Sequence, residues 1–157
     1  MKVAIGNRMR ILVVDDDPAT VHGMTRLLVG DGHVVSAFTS GAEAAEALSQ
    51  GKFDVVMTDL EMPGVDGQAI ARTARVHSPE ACVVVATARA VEKEQVLIDA
   101  GACIVSDKPV DYDSLTSAVL ECRHGGGGSE PGGGRERCHM RSRSKPTSLA
   151  PSRRHPW

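Results

Sequence analysis

Short apolar runs alternate with helix-length amphipathic segments five times between residues 11 and 123, and this repetition constrains the fold more than any other feature. Ile11–Val14, Val55–Thr58 and Cys82–Ala86 are nearly unbroken apolar runs, the pattern of strands buried on both faces. His33–Ala37 and Cys103–Ser106 read as two further short strands. Pro18, behind Asp17, opens a helix with Val21, Met24, Leu27 and Leu28 on one face, and Gly30 and Gly32 stop it. Ser40 and Glu43 form a capping box for a second helix, which uses Ala44, Ala47 and Leu48 and closes at Gly51. After the break at Pro63 and Gly64, Ile70, Ala71 and Ala74 line a helix over about 67–77. A helix over about 91–100 carries Val91, Leu97 and Ile98 and ends at Gly101. The last one places Leu115, Ala118, Val119 and Cys122 at i, i+3, i+4 and i+7. Crossovers of helix length make neighbouring strands parallel, so the expected fold is a doubly wound α/β domain with a five-stranded parallel sheet covered on both faces.

In such sheets a ligand sits at the carboxyl ends of the strands. Asp15, Asp16 and Asp17 follow the first strand, Asp59 the third, Thr87 the fourth and Lys108 the fifth. Carboxylates about 4 Å apart repel by roughly 4 kcal/mol per pair at an effective dielectric near 20, a cost that a bound cation relieves. With only oxygen ligands on offer, the expected ion is Mg²⁺, held by few protein groups and several waters. Opposite such an ion, the Lys108 ammonium and the Thr87 hydroxyl suit a phosphoryl group. No Ser, Cys or His stands at the centre, so the natural nucleophile is a carboxylate that forms an aspartyl phosphate.

Four motifs occur in order: Ile11-Leu12-Val13-Val14-Asp15-Asp16-Asp17-Pro18, Asp54 through Thr58-Asp59-Leu60-Glu61-Met62-Pro63-Gly64 to Gly67, Val83-Val84-Val85-Ala86-Thr87-Ala88, and Lys108-Pro109. Over about residues 9–123 the chain thereby resembles the response-regulator receiver domains of bacterial two-component signalling. The resemblance implies a flavodoxin-like (βα)5 fold with strand order 2-1-3-4-5. It implies Asp59 as phosphoacceptor, with Mg²⁺ held by Asp15, Asp16, Asp59 and the Glu61 carbonyl. Thr87 is then the switch hydroxyl, Lys108 the phosphate-binding lysine, and Lys108–Pro109 a cis peptide. The implied partners are a sensor histidine kinase or phosphotransfer protein and a downstream target protein. The chain is then a signalling switch that catalyses only its own phosphorylation and slow dephosphorylation. A role as phosphate sink or relay intermediate stays open, as does a homodimer. Asp17 matches no required position and reads as a helix cap. Where receivers usually carry Tyr or Phe three residues before the lysine, this chain has Val105, so weaker coupling to the helix 4, strand 5, helix 5 face is expected. Glu61 and Arg89 lie two positions beyond Asp59 and Thr87. Their charges can pair over the phosphoryl group and impede the attacking water, or form an exposed pair worth under about 1 kcal/mol.

Other classes are weighed against this one. No apolar stretch approaches the roughly 18–20 residues of a membrane span, so no membrane partner and a cytoplasmic chain are expected. Phe, Trp and Tyr make up 3% of the chain, too little for a base-stacking platform. Residues 1–124 carry 11 basic and 18 acidic side chains, whereas residues 125–157 carry 7 and 2. That Gly-rich basic tail, 124–157, is expected to be disordered, and residues 1–8 to be a leader. Nucleic-acid binding through the tail is the alternative, although no helix-turn-helix follows residue 123. A haloacid-dehalogenase-like phosphatase would need Asp where Glu61 stands, and a substrate cap for which the chain is too short. The four cysteines form no CxxC pair, so neither a zinc site nor a disulfide framework is indicated, and Cys82 and Cys103 are expected to be buried and unreactive. His22, His33 and His77 are expected at the surface.

Overall fold

A computed structural model of the chain describes residues 8–124; the expected leader and basic tail therefore lie almost wholly outside the described residues. Strands and helices alternate as β1 (Arg10–Val14), α1 (Pro18–Gly30), β2 (Val34–Phe38), α2 (Gly41–Gln50) and β3 (Val55–Asp59). They continue as α3 (Gly67–His77), β4 (Cys82–Thr87), α4 (Ala90–Ala100), β5 (Ile104–Asp107) and α5 (Tyr112–His124). All the pairings are parallel and the strand order is β2-β1-β3-β4-β5, the doubly wound arrangement expected.

Side chains on a strand point alternately to the two faces, and here each face builds its own apolar layer. Leu12 and Val14 point with Val56, Val83 and Val85 into the layer covered by α2, α3 and α4, where Leu48, Ile70 and Leu97 are buried. Ile11 and Val13 point with Val55, Met57 and Val84 to the opposite layer, closed by Met24 and Leu28 of α1 and Leu115 and Val119 of α5. Each fully buried Leu or Ile contributes roughly 1.5–3 kcal/mol, so both layers help to hold the sheet between its helices.

Helix starts follow the local chemistry. Asp17 caps α1 by accepting the Ala19 N–H at 3.1 Å, Ser40 accepts the Glu43 N–H at 3.4 Å, and Asp66 accepts the Ala69 N–H at 2.9 Å. One expectation is corrected. His22 and His77 are exposed, but His33 is buried just before β2, where its Nδ1 accepts the Met9 N–H at 3.2 Å. The left-handed turn at Gly32, φ 93°, reverses the chain so sharply that the ring is carried under the start of β1, where an otherwise unmet N–H needs an acceptor. Among the described residues no helix is long and apolar enough to cross a membrane.

Candidate functional site

The carboxyl ends of β1, β3, β4 and β5 meet at one edge of the sheet, and their register sets what stands there. Asp59 is the last residue of β3, paired with Ala86, and is 7% exposed. The Leu60 N–H donates to the Ala86 carbonyl at 2.9 Å and the Gly67 N–H to the Leu60 carbonyl at 2.9 Å, so the chain beyond Asp59 is tied to β4 and folded back into α3. Gly67 is required for that return: a methyl group there would meet the Asp59 carbonyl oxygen and stand 2.7 Å from Leu60 Cα.

Asp15 follows β1, is 5% exposed, and accepts the Asp17 N–H at 2.9 Å through Oδ1. Lys108, just beyond β5, hangs from β4 by its N–H to the Thr87 carbonyl at 3.1 Å. Its ammonium spans the two acids, 2.9 Å from Asp59 Oδ1 and 3.3 Å from Asp15 Oδ2. Asp16 is exposed at the rim, and one oxygen each of Asp15, Asp16 and Asp59 lie within 4.8 Å of one another. Burial pushes the Asp15 carboxyl above its usual range, and the charge of Asp59 pushes the same way. The Asp17 N–H and the Lys108 ammonium oppose this without cancelling it. Burial alone would lower the Lys108 ammonium, but its hydrogen bond to Asp59 and the charges of Asp15 and Asp59 outweigh it, and the lysine is held protonated.

Thr87 closes β4, is 1% exposed, and accepts the Arg89 N–H at 3.1 Å through its hydroxyl. Lys108–Pro109 is cis, as expected. Glu61 and Arg89 are both exposed, and among the described residues no ion pair joins them. Val105 is half-buried against the α2–α4 layer. A cavity of about 400 Å³ is lined by Asp15, Asp59 and Lys108 and, on its apolar side, by Met24, Met57 and Leu115. The three aspartates offer only hard oxygen ligands at a spacing that one small divalent ion can bridge, and an ammonium stands ready beside the most central of them.

Sequence reasoning missed a second convergence. Cys82, Cys103 and Cys122 bring their sulfurs within 4.8 Å of one another, Cys82 buried and the other two half-buried, so Cys103 is less enclosed than expected. The signal lay in register: Cys82 begins β4, Cys103 immediately precedes the adjacent β5, and Cys122 sits on the inward stripe of a helix running back towards their start.

A family model for the response regulator receiver domain matches residues 11–120. The chain belongs to that family. This receiver is 34% identical over 111 residues to the transcriptional regulatory protein TcrA of Mycobacterium tuberculosis, a match covering 68% of this chain and 43% of TcrA. It therefore spans less than half the length of that curated relative. It shares its fold with a CheY-like receiver domain protein from Methanospirillum hungatei, at a TM-score of 0.70 and 24% identity, over 76% of this chain and 96% of the other. The response regulator TrrA of Thermotoga maritima, solved in complex with Mg(2+)-BeF, matches at 29% identity and a TM-score of 0.64, over 71% and 96%. TrrA has also been solved in complex with the histidine kinase ThkA; that match is 28% identical with a TM-score of 0.62, over 71% and 96%. Receiver domains are signalling modules, and an acidic cleft of the kind that holds Mg²⁺ is present in this one.

Proposed function

We propose that this receiver is a phosphoacceptor switch that takes a phosphoryl group onto Asp59 from the phosphohistidine of a sensor histidine kinase or phosphotransfer protein, and signals by binding a downstream protein. The observation that carries the reading is the Lys108 ammonium held 2.9 Å from the buried Asp59 carboxylate, with Asp15 sharing the same cation. An Asp59 oxygen forms the new bond to phosphorus, the phosphorus–nitrogen bond breaks, and the departing imidazole keeps that electron pair and takes up a proton. Lys108 orients Asp59 before transfer and can then turn to a phosphoryl oxygen. Thr87 can release the Arg89 N–H and donate its hydroxyl to another. Asp15, Asp16, Asp59 and the Glu61 carbonyl would hold Mg²⁺, which offsets the negative charge of the phosphoryl oxygens. The binding of Mg(2+)-BeF by TrrA, and the complex of TrrA with ThkA, support this choice of cofactor and donor.

The folded unit is taken as residues 9–123, with the tail outside it and a cytoplasmic setting. A phosphate sink or relay intermediate uses the same chemistry with a different acceptor downstream. Intact mass after incubation with acetyl phosphate tests the reading. Gain of one phosphoryl group by the wild type with Mg²⁺, and by neither Asp59→Asn nor the Mg²⁺-free protein, is expected. Folded, Mg²⁺-binding protein that gains nothing would withdraw the role given to Asp59.

A further inference from the structure

The far edge of the sheet, where the strands begin, holds the three cysteines. Cys82 opens β4, Cys103 precedes β5 with its N–H donating to the Val83 carbonyl at 2.8 Å, and Cys122 lies in the last turns of α5. Three separate elements thus place three sulfurs within 4.8 Å of one another. Sulfurs bound to one ion at 2.3 Å stand about 3.8 Å apart in a tetrahedral site and about 4.0 Å in a trigonal one. Closing the observed spacing takes less than about 1 Å, within reach of side-chain rotation. Two of the three sulfur-bearing residues are half-buried, so an ion has a way in, while the buried Val119, one turn before Cys122, belongs to the apolar layer on the inner side. The Asp54 carbonyl accepts both the Cys82 N–H at 3.0 Å and the Arg123 guanidinium at 2.8 Å, and Arg123 also pairs with the Asp54 carboxylate at 3.3 Å, so the end of α5 that carries Cys122 is tied to the start of β4 that carries Cys82.

We propose that Cys82, Cys103 and Cys122 form a binding site for one soft, thiophilic d10 cation, either Cu⁺ with three thiolates or Zn²⁺ with a water from the open side as fourth ligand. Thiolate ligands favour these ions and offer nothing to Mg²⁺, which belongs at the opposite, oxygen-lined edge. Binding joins α5 to β4 and the start of β5, so it stabilises the fold independently of phosphorylation.

The test uses the full-length protein, reduced and stripped of metal, titrated anaerobically with Zn²⁺ or with Cu⁺ against a competing chelator and read by native mass. A Co²⁺ arm reads thiolate charge-transfer absorption. One ion per chain is expected in at least one of the Zn²⁺ and Cu⁺ arms, and which arm holds it identifies the ion. Cys103→Ser and Cys122→Ser, at the half-buried positions, should each weaken retention by at least ~100-fold. Cys138→Ser, outside the described residues, should leave retention unchanged. The proposal is overturned if the wild type retains no ion in either arm, or if it retains Zn²⁺ alone and shows no thiolate charge-transfer band with Co²⁺. It is equally overturned if retention follows Cys138 and not Cys122. A wild-type failure counts whether or not the variants fold.

Discussion

Replacing Gly67 by alanine asks whether the position of Asp59 is set by backbone packing as well as by charge. The added methyl group would meet the Asp59 carbonyl oxygen, 2.7 Å from Leu60 Cα and 3.0 Å from the Asp59 carbonyl carbon. Carbon atoms in ordinary contact stand about 3.5–4.0 Å apart, so roughly 1 Å of movement is forced between the first turn of α3 and the end of β3. Neither side gives easily, because Gly67 is bonded to Leu60 and Leu60 to Ala86, each at 2.9 Å. Overpacking of this kind costs about 1–3 kcal/mol, of which the lost flexibility of the unfolded chain returns about 0.4–1. A net loss of about 1–2 kcal/mol lowers the melting temperature of a domain this size by roughly 4–8 °C. Displacing Asp59, the proposed nucleophile, by about 1 Å should also slow phosphorylation from acetyl phosphate by at least ~10-fold. Gly64→Ala is the control. That residue has φ 75° with open space around it, so alanine there adds about 1–2 kcal/mol of backbone strain but leaves Asp59 in place. Thermal unfolding and a time course of intact mass read both quantities. Gly67→Ala that melts within about 2 °C of wild type and phosphorylates at the wild-type rate would refute the reasoning.

Asp15→Asn keeps the acceptor for the Asp17 N–H and removes a buried charge that its surroundings, led by burial, disfavour. It should melt above wild type in EDTA at neutral pH and gain less than wild type from Mg²⁺; the opposite order in EDTA would show that the Lys108 pair outweighs burial. His33 is held below its usual pKa by burial, with the Asp31 charge opposing, and its Nδ1 is committed as an acceptor. The unfolded chain therefore takes up the proton first: stability is complete above about pH 6.5 and is lost as the pH falls towards the folded value. His33→Gln should lose less melting temperature than wild type between about pH 7.5 and 5.5, and equal losses would place the titrating group elsewhere.

The fold was legible because its signals are periodic and local. Unbroken apolar runs such as Val55–Val56–Met57 announced buried strands, and Asp17-Pro18 and Ser40 marked helix starts that the structure keeps. The acidic edge was legible for a topological reason: every parallel strand ends on the same side, so residues distant in sequence such as Asp15 and Lys108 are neighbours by construction. The misses concern the opposite edge and the turns. His33 looked like a surface residue because nothing in its neighbourhood shows that Met9, 24 residues earlier, would present a backbone N–H to it. The thiol cluster escaped a search for CxxC spacing because its members come from three elements, and only register plus the direction of α5 brings them together. Glu61 and Arg89 are exposed and no ion pair joins them among the described residues; a pairing over a phosphoryl group concerns the phosphorylated state.

If the chain is the switch proposed above, Val105 bears on where a signal leaves the acidic edge. With no ring at that position to turn inward, output must rely on movement of the backbone or of Thr87, and the Thr87 route is the one with visible levers: its hydroxyl accepts the Arg89 N–H at 3.1 Å and its carbonyl accepts the Lys108 N–H at 3.1 Å. A Thr87 hydroxyl that turns to a phosphoryl oxygen releases Arg89, the residue that precedes α4. That helix start is weakly held, since no side chain caps it, in contrast to α1, α2 and α3. Strand β5, by comparison, is tied to β4 through its whole length from Ile104 to Asp107. Loss of one hydrogen bond worth about 1 kcal/mol therefore loosens the first turn of α4 and leaves β5 in place. Amide chemical shifts on activation with acetyl phosphate and Mg²⁺ should accordingly change more at Arg89–Glu92 than at Val105–Asp107. Shifts of equal size on the two segments would mean that the signal passes through β5 despite the missing ring, and the route through Thr87 would have to be given up.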